Sequence, residues 1–363
     1  MEIAVQRIET GFDPVEAFAR LRSYTPDRGA FLIESRAPEH PAGRYSLVGY
    51  RVRSGESIPP NADAFAVASA TERDARPDSF AAAMALASVG AFSSCVASLR
   101  QRVPLFDDEG PGGIFDVGAT VMVFDHRENT VTVAGPAKGN LVPRLIYELE
   151  HAPPIEPVAV EEGEPQGLAI DPSDDKLAAR VRGAQGFLDD DELPSLVLAQ
   201  GYYARLTGDP FDAYRALRQL AASPLSYFVD FGQTPVSPSI QVFGVADVAL
   251  HLRTRDAGGG LEAALGGALP HPATYGPEPG TALRLLRRLE DHSRQLWGGA
   301  VGYLCPGGEA AMLLANRVVT VIDGHAAVTV GATVAADTDP AGAPAEARAQ
   351  AAPLLAALRS AQR

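Results

Sequence analysis

The dipeptide Asp323-Gly324 stands between two apolar runs, residues 310–322 and 326–336. An Asp-Gly pair in that setting favours the φ > 0 backbone that both central positions of a tight hairpin require. The two runs therefore read as adjacent antiparallel strands. The flanking residues agree. Gly298 and Gly299 open the stretch, Gly302 precedes Tyr303, and Pro306-Gly307-Gly308 supplies a turn. Asp337-Thr338-Asp339-Pro340 closes it, and an alanine-rich segment follows. Residues 297–350 read as strand, turn, strand, hairpin, strand and helix.

The N-terminal half carries fewer such signals. Asp13-Pro14 places a cap and a first-turn proline before an amphipathic helix. Residues 31–35 and 43–50 are β-type runs. Residues 54–80 are polar and proline-rich and read as a surface excursion; residues 81–103 have the alanine content and spacing of a helix. Residues 119–124 and 130–133 flank a turn that includes His126, and residues 143–150 read as a helix. Residues 152–176 are rich in proline and acid and read as a linker. They divide the chain into lobes at 1–151 and 177–363.

In the second lobe, residues 175–188 read as a helix with the acidic corner 189–192 as its solvated end. Residues 193–206 have strand spacing. Gly208-Asp209-Pro210 caps an amphipathic helix that buries Phe211, Tyr214, Leu217 and Leu220. Residues 223–232 and 239–243 read as strands, 261–269 as a helix, and 281–296 as a helix that delivers the chain to Trp297. Strands dominate, with no repeating strand–helix–strand rhythm. The fold class expected is α+β with antiparallel sheets.

Net charge and cysteine content narrow the function. A net charge of −14 excludes the basic footprint of a nucleic-acid binder but leaves room for a locally basic pocket. Cys95 and Cys305 lie far apart without a CxxC pattern, which reads as buried thiols and not a zinc or disulfide framework. No apolar run is long enough to span a bilayer, and MEIAVQRIETGFDP lacks a basic region ahead of an apolar core. A cytoplasmic protein is expected by default. There is no GxGxxG after a strand, and no GxSxG or HExxH. Gly276-Pro277-Glu278-Pro279-Gly280-Thr281 has a phosphate loop's outline without its lysine or its amide donors. His126 and His325 read as turn residues. His251 lies in an apolar strand-like run, where a core histidine and a functional one are equally good readings.

Several stretches together resemble the chorismate-utilising family, which includes anthranilate synthase component I and aminodeoxychorismate synthase component I. They are FLIESR and RYSLVGY near the start, FDH at 124–126, GDPFDAYRALR followed by SPLSYFVDFG, ALHLRTRDAGGGLEAALGGALP, LLRRLE leading to WGGAVGYLCPGG, and GATVAADTDPAGAPAEARAQA. The resemblance implies an anthranilate synthase component I-like fold. That fold has two orthogonally packed antiparallel sheets surrounded by helices, its lobes intertwined as one domain and its active site in the C-terminal half. It implies addition of ammonia or water to the chorismate ring, with magnesium on the substrate carboxylate.

Carried over residue by residue, the resemblance places His251 on the family's catalytic histidine and Arg317 on the arginine that holds a substrate carboxylate. Tyr303 falls on a pocket tyrosine, and Glu346 on one of the metal glutamates. Trp297, Ser195, Gly331 and Thr333 fall on the substrate-binding surface. The departures are equally specific. The second C-terminal metal glutamate is Ala343, the lysine after it is Gln350, and the lysine of the family's TGAPK loop is lost at Tyr275-Gly276-Pro277-Glu278-Pro279. Ser195 stands where the family has Gln or Lys. The family's long insert, with its remaining metal glutamates, is absent between Ser237-Pro238 and His251.

One glutamate cannot hold Mg²⁺, a hard ion that needs several oxygen ligands. The expectation is a divergent anthranilate synthase component I-like protein, repurposed as a metal-independent lyase, cyclase or isomerase in specialised-metabolite biosynthesis. No cofactor is expected and magnesium is expected to be lost. The substrate would be a carboxylate-bearing small molecule, with His251, Tyr303 and Glu346 catalytic and Arg317 the anion clamp. Two other readings stay open: an ordinary chorismate lyase with a metal site rebuilt from Glu278, Glu346 or Asp337, and a non-catalytic binding or regulatory protein. A glutamine amidotransferase partner is not assumed, and a homodimer is left open.

Overall fold

A computed structural model of the chain describes residues 2–9, 11–24, 29–40, 43–65, 77–188, 192–232, 239–253, 260–306 and 308–362. Asp189, Asp190 and Asp191 of the acidic corner, residues 66–76 of the excursion, Ser237-Pro238 and Gly307 lie outside the described residues.

Strand β1 (Ile3–Ile8) leads to helix α1 (Pro14–Arg22), where the Asp13 carboxylate accepts the Glu16 amide at 2.7 Å as the cap. Strand β2 (Gly29–Ser35) is buried at every position. Strand β3 (Tyr45–Ile58) runs on into residues expected as a surface excursion. Residues 81–103, expected as helix, divide into α2 (Phe80–Met84), β4 (Ser88–Phe92) and α3 (Cys95–Arg100). Alanine favours helix locally, but Ser88–Phe92 pairs with a strand on each side, and tertiary pairing overrides propensity. Strands β5 (Gly113–Val117), β6 (Thr120–Asp125) and β7 (Thr130–Pro136) and helix α4 (Leu141–His151) complete the first half.

Residues 153–168 contain no helix or strand, and the expected linker then ends in a short strand, β8 (Ala169–Asp171). The second half follows as α5 (Asp174–Gln185), β9 (Ser195–Arg205), α6 (Pro210–Leu220), β10 (Leu225–Asp230), β11 (Ile240–Ala246) and β12 (Ala249–Arg253). Then come α7 (Gly260–Ala268), α8 (Pro272–Tyr275) and α9 (Pro279–Leu289). Helix α9 stops at Leu289 and not at Leu296, because Glu290 leaves helical geometry at φ −99° and ψ 145°. The opening segment forms β13 (Ala300–Leu304), β14 (Glu309–Leu314), β15 (Val318–Ile322), β16 (His325–Ala335) and α10 (Ala343–Ser360). Its hairpin turn has the expected geometry, with φ 48° at Asp323 and 77° at Gly324.

Two antiparallel sheets result. The first runs β1–β7–β6–β3–β2–β10–β11–β15–β16–β9–β8, and the second β12–β14–β13–β4–β5–β3. Strand β3 belongs to both. Its first part pairs with β2 and β6, and after a register shift its second part pairs with β5. The pairs β2–β10 and β4–β13 join the two halves of the chain, so neither half owns a sheet.

Three apolar layers pack around this frame. Between the sheets lie Ile33, Tyr227, Val229 and Val318 from the first and Val89, Tyr303, Ala311 and Leu313 from the second. The outer face of the first sheet is covered by α1, α4, α5, α6 and α10 through Phe18, Leu145, Val181, Leu217 and Leu354. The outer face of the second sheet packs on α3 and α7 through Val96, Leu261 and Leu265.

Gly302 shows how tightly the second sheet is drawn. A β-carbon there would lie 2.0 Å from the Ala311 carbonyl oxygen and 2.9 Å from the Met312 α-carbon. Backbone cannot yield as a flexible side chain can. Gly302→Ala is expected to cost about 1–3 kcal/mol of stability, read as a lowered urea midpoint at unchanged slope.

Candidate functional site

The strand register brings two of the expected site residues into one row. Ala311 pairs with His251 on one side and Tyr303 on the other, so all three side chains share the face directed at the inter-sheet layer. Two strand spacings separate His251 from Tyr303, about 10 Å. Strand β12 is the edge of its sheet and His251 is exposed there, which corrects the core-histidine reading. Tyr303 is buried against Phe80, and burial pushes its phenol well above the usual range, so the hydroxyl keeps its proton.

A second group forms where β14 turns into β15. The Trp297 indole N–H donates to the Asn316 carbonyl at 2.9 Å, and the backbone of Gly298 and Gly299 bonds with Ala315. The Trp297 ring lies over Gly331: a β-carbon on that glycine would meet ring carbons at 2.7 and 2.8 Å. Arg317 follows Asn316 and pairs with Asp247, which also accepts the Ser223 hydroxyl at 3.0 Å. A β-carbon at Gly244 would lie 2.3 Å from the Arg317 carbonyl oxygen and 2.7 Å from the Tyr227 hydroxyl, so these groups converge on a glycine. The Tyr227 hydroxyl and Asn316 Oδ1 are buried without a hydrogen-bond partner. Burial raises the Tyr227 phenol far above its usual value, against the pull of Arg317, and keeps its proton in place.

Behind Trp297 lies a buried ion pair that the sequence reading missed. Arg294 bonds Glu290 through Nε at 2.8 Å and Nη2 at 2.7 Å, and its guanidinium lies over the rings of Tyr275 and Trp297 at 5.0 and 4.9 Å. Arg294 also donates to the Thr274 and Val197 carbonyls, while Glu290 accepts the Ala199 amide at 2.9 Å. Strand β8 covers β9 only at residues 201–203. Beyond its end, Glu290 and Arg294 stand in for the missing neighbour strand at Val197 and Ala199. Burial acts to discharge Arg294, but the Glu290 charge and hydrogen bonds outweigh it and hold the guanidinium above its usual pKa. The i, i+4 spacing of Glu290 and Arg294 was visible, but nothing local says that both charges are buried.

The remaining expected residues are more dispersed. Ser195 is half-buried at the start of β9, its carbonyl against Gly276. Thr333 is exposed opposite Val197, and Gly331 is buried opposite Ala199. Helix α10 packs on the outer face of the first sheet, and Glu346 projects into solvent, where Gln350 bonds it at 3.3 Å. Glu346 therefore does not join His251, Tyr303 or Arg317. Among the described residues no group of three or more His, Cys, Asp or Glu side chains is arranged to hold a metal ion. With the buried Ala343 methyl in place of a second carboxylate, the α10 donor set does not fit Mg²⁺.

Cavities flank this group. One of about 40 Å³ is lined by Ala199, Gly201, Thr329 and the Glu290–Arg294 pair, and one of about 20 Å³ by Tyr275, Glu109 and the other side of the pair. A cleft of about 520 Å³ opens elsewhere, between α1, α6 and the segment 155–161, where Arg22 is already bonded to Asp209. Its position on the outer layer separates it from the inter-sheet residues.

Comparison with known proteins matches this arrangement. A family described as chorismate binding enzyme matches residues 260–356, which include Trp297, Tyr303, Arg317, Gly331 and Glu346. Anthranilate synthase component 1 from Streptomyces coelicolor is 24% identical over 433 aligned positions that cover 92% of this chain and 84% of that protein. The chain is similar to the chorismate-utilising enzymes over most of its length. Those 433 positions outnumber the chain's 363 residues, so the relative carries segments that this chain lacks. The pyocyanine-specific anthranilate synthase component 1 of Pseudomonas aeruginosa is 32% identical over 189 residues, 51% of this chain and 35% of that one. Anthranilate synthase component I from Streptococcus pneumoniae superimposes with a TM-score of 0.72 at 17% identity, covering 85% of this chain and 92% of that structure. The menaquinone-specific isochorismate synthase of Escherichia coli gives 0.67 at 12%, covering 98% and 95%. The shared fold is the α+β scaffold of these enzymes. No helix among the described residues is long and apolar enough to cross a membrane.

Two outcomes follow from this chemistry. Arg294→Met leaves Glu290 charged, buried and unpaired, and should cost about 3–5 kcal/mol, with a red shift in Trp297 fluorescence as the ring loses its cover. Tyr227, Tyr275 and Tyr303 all have folded pKa values above the unfolded one. Above about pH 10 the unfolded chain binds fewer protons than the folded chain, so stability falls as pH rises through that point and is unaffected by these groups below it. Urea titrations on either side of that pH read the slope.

Proposed function

We propose that the chain is a repurposed, metal-independent enzyme of the chorismate-utilising family. It would act as a lyase, cyclase or isomerase on a carboxylate-bearing small molecule in a specialised biosynthetic pathway. The observation that carries this reading is the group at Arg317. The Arg317 backbone carbonyl and the Tyr227 hydroxyl converge on Gly244, and that hydroxyl and Oδ1 of Asn316, the residue before Arg317, are buried without partners. Native chains leave few such atoms unsatisfied, and a bound ligand is one way to satisfy them.

The roles divide by chemistry. Arg317 holds a carboxylate, as a forked guanidinium does best. His251 supplies an imidazole for acid–base work, and Tyr303 offers a hydroxyl that burial keeps protonated. His251 lies four residues beyond Asp247, the partner of Arg317, so at most ~14 Å of extended chain separates 251 from 247. Glu346 is left out of this set by its solvent-facing position. The pyocyanine-specific relative favours a dedicated pathway. No amidotransferase subunit is required by this reading.

Incubation with chorismate, with and without Mg²⁺, separates the alternatives. The expected outcome is quenching of Trp297 fluorescence without turnover in either condition. Mg²⁺-dependent turnover would establish the ordinary chorismate lyase instead. On the enzyme's own substrate, His251→Gln is expected to lower kcat by about 10²–10⁴-fold. Arg317→Met should act chiefly on KM.

A further inference from the structure

Arg317 already holds a carboxylate, and it is the chain's own. Its guanidinium pairs with Asp247, at the corner between β11 and β12. Asp247 is not loose there: the Ser223 hydroxyl donates to its Oδ1 at 3.0 Å and to the Ala246 carbonyl at 2.9 Å, so the corner is held against the loop before β10. The pair is solvent-accessible, with the Arg317 side chain 25% exposed and that of Asp247 55% exposed. Exposed ion pairs are worth about 0–1 kcal/mol, a contact that an incoming anion can displace.

We propose that Asp247 is an internal competitor, occupying the Arg317 guanidinium until a ligand carboxylate displaces it. The proposal rests on the reading of Arg317 as the anion clamp. Its independent support is the state of the neighbours. Asp247 satisfies Arg317, while the Tyr227 hydroxyl, which meets the Arg317 backbone at Gly244, and Oδ1 of Asn316, the residue before Arg317, remain without partners. A ligand that offers a carboxylate oxygen to Arg317 and an acceptor to the Tyr227 hydroxyl would satisfy more of the group than Asp247 does. Asp247 thereby sets a threshold: anions that can only exchange one ion pair for another gain little, and those that also reach the buried polar atoms are retained.

The chain contains one tryptophan, and its indole bonds the carbonyl of the residue before Arg317, so fluorescence reads this site directly. Benzoate is the probe, and benzamide the uncharged control. Asp247→Asn should bind benzoate about two- to fivefold more tightly than the unaltered chain, since removing a pair worth up to about 1 kcal/mol has that effect. The gain should vanish in the Asp247→Asn, Arg317→Met double variant, and benzamide should show no gain. Asp247→Ser serves in place of Asn if that variant melts early. Equal benzoate affinity for Asp247→Asn and the unaltered chain, with Arg317→Met abolishing binding in both, overturns the competitor and leaves the anion clamp standing. Benzoate binding indifferent to Arg317→Met overturns the clamp and the competitor together. No saturable quench in any variant overturns the competitor.

Discussion

Strand β3 belongs to both sheets, and the rest of the fold depends on that. Its backbone hydrogen bonds pass from β2 and β6 to β5 after a register shift, so the sheets cannot separate without breaking a continuous ladder. Their inner faces are then held against each other, and with helices over the outer face of the first sheet β2 and β10 are buried at every position. The candidate site occupies the margins of that layer. Its tyrosines are kept protonated by the same burial that holds the layer together.

Where the ladder runs out, side chains continue it. Strand β9 loses its neighbour beyond β8, and Glu290 and Arg294 take over its amide and carbonyl at Ala199 and Val197. Two charges this deeply buried persist only because each is paired and hydrogen-bonded. The pair also seats Trp297 over Gly331, so one structural device fixes both an edge strand and a wall of the site. The Arg317–Asp247 pair differs in kind. It is exposed, one of its partners lies at a corner between strands, and the residue before Arg317, Asn316, keeps an unsatisfied Oδ1. One pair is architecture; the other is open to exchange.

Much of this was legible in the residues. The Asp323-Gly324 turn, the Asp13 and Asp209 caps, the strand at 225–230 and the helix burying Phe211, Tyr214 and Leu217 all follow from local rules. Local rules failed where a distant partner decided the outcome. Ser88–Phe92 has alanine-rich neighbours and is a strand because β5 and β13 flank it. Helix α9 ends at Leu289 because Glu290 turns inward to bond a strand ninety-one residues earlier in the chain. Site residues behaved in the same way. Tyr303 and Trp297 come out in the inter-sheet layer, with Gly331 under the Trp297 ring, while Glu346, in the same segment, is carried to solvent.

The sequence by itself determined the α+β class, the antiparallel pairing of its C-terminal core and the family resemblance, because hairpin turns, caps and periodicity act over a few residues. Only the tertiary structure decided which side chains share a compartment. It placed His251 on an exposed edge in register with Tyr303, and gave Arg317 an internal partner in Asp247. It also buried Glu290 with Arg294 behind Trp297. Those outcomes depend on strand order and on which backbone groups remain unpaired at the end of a ladder, and no local rule carries that information.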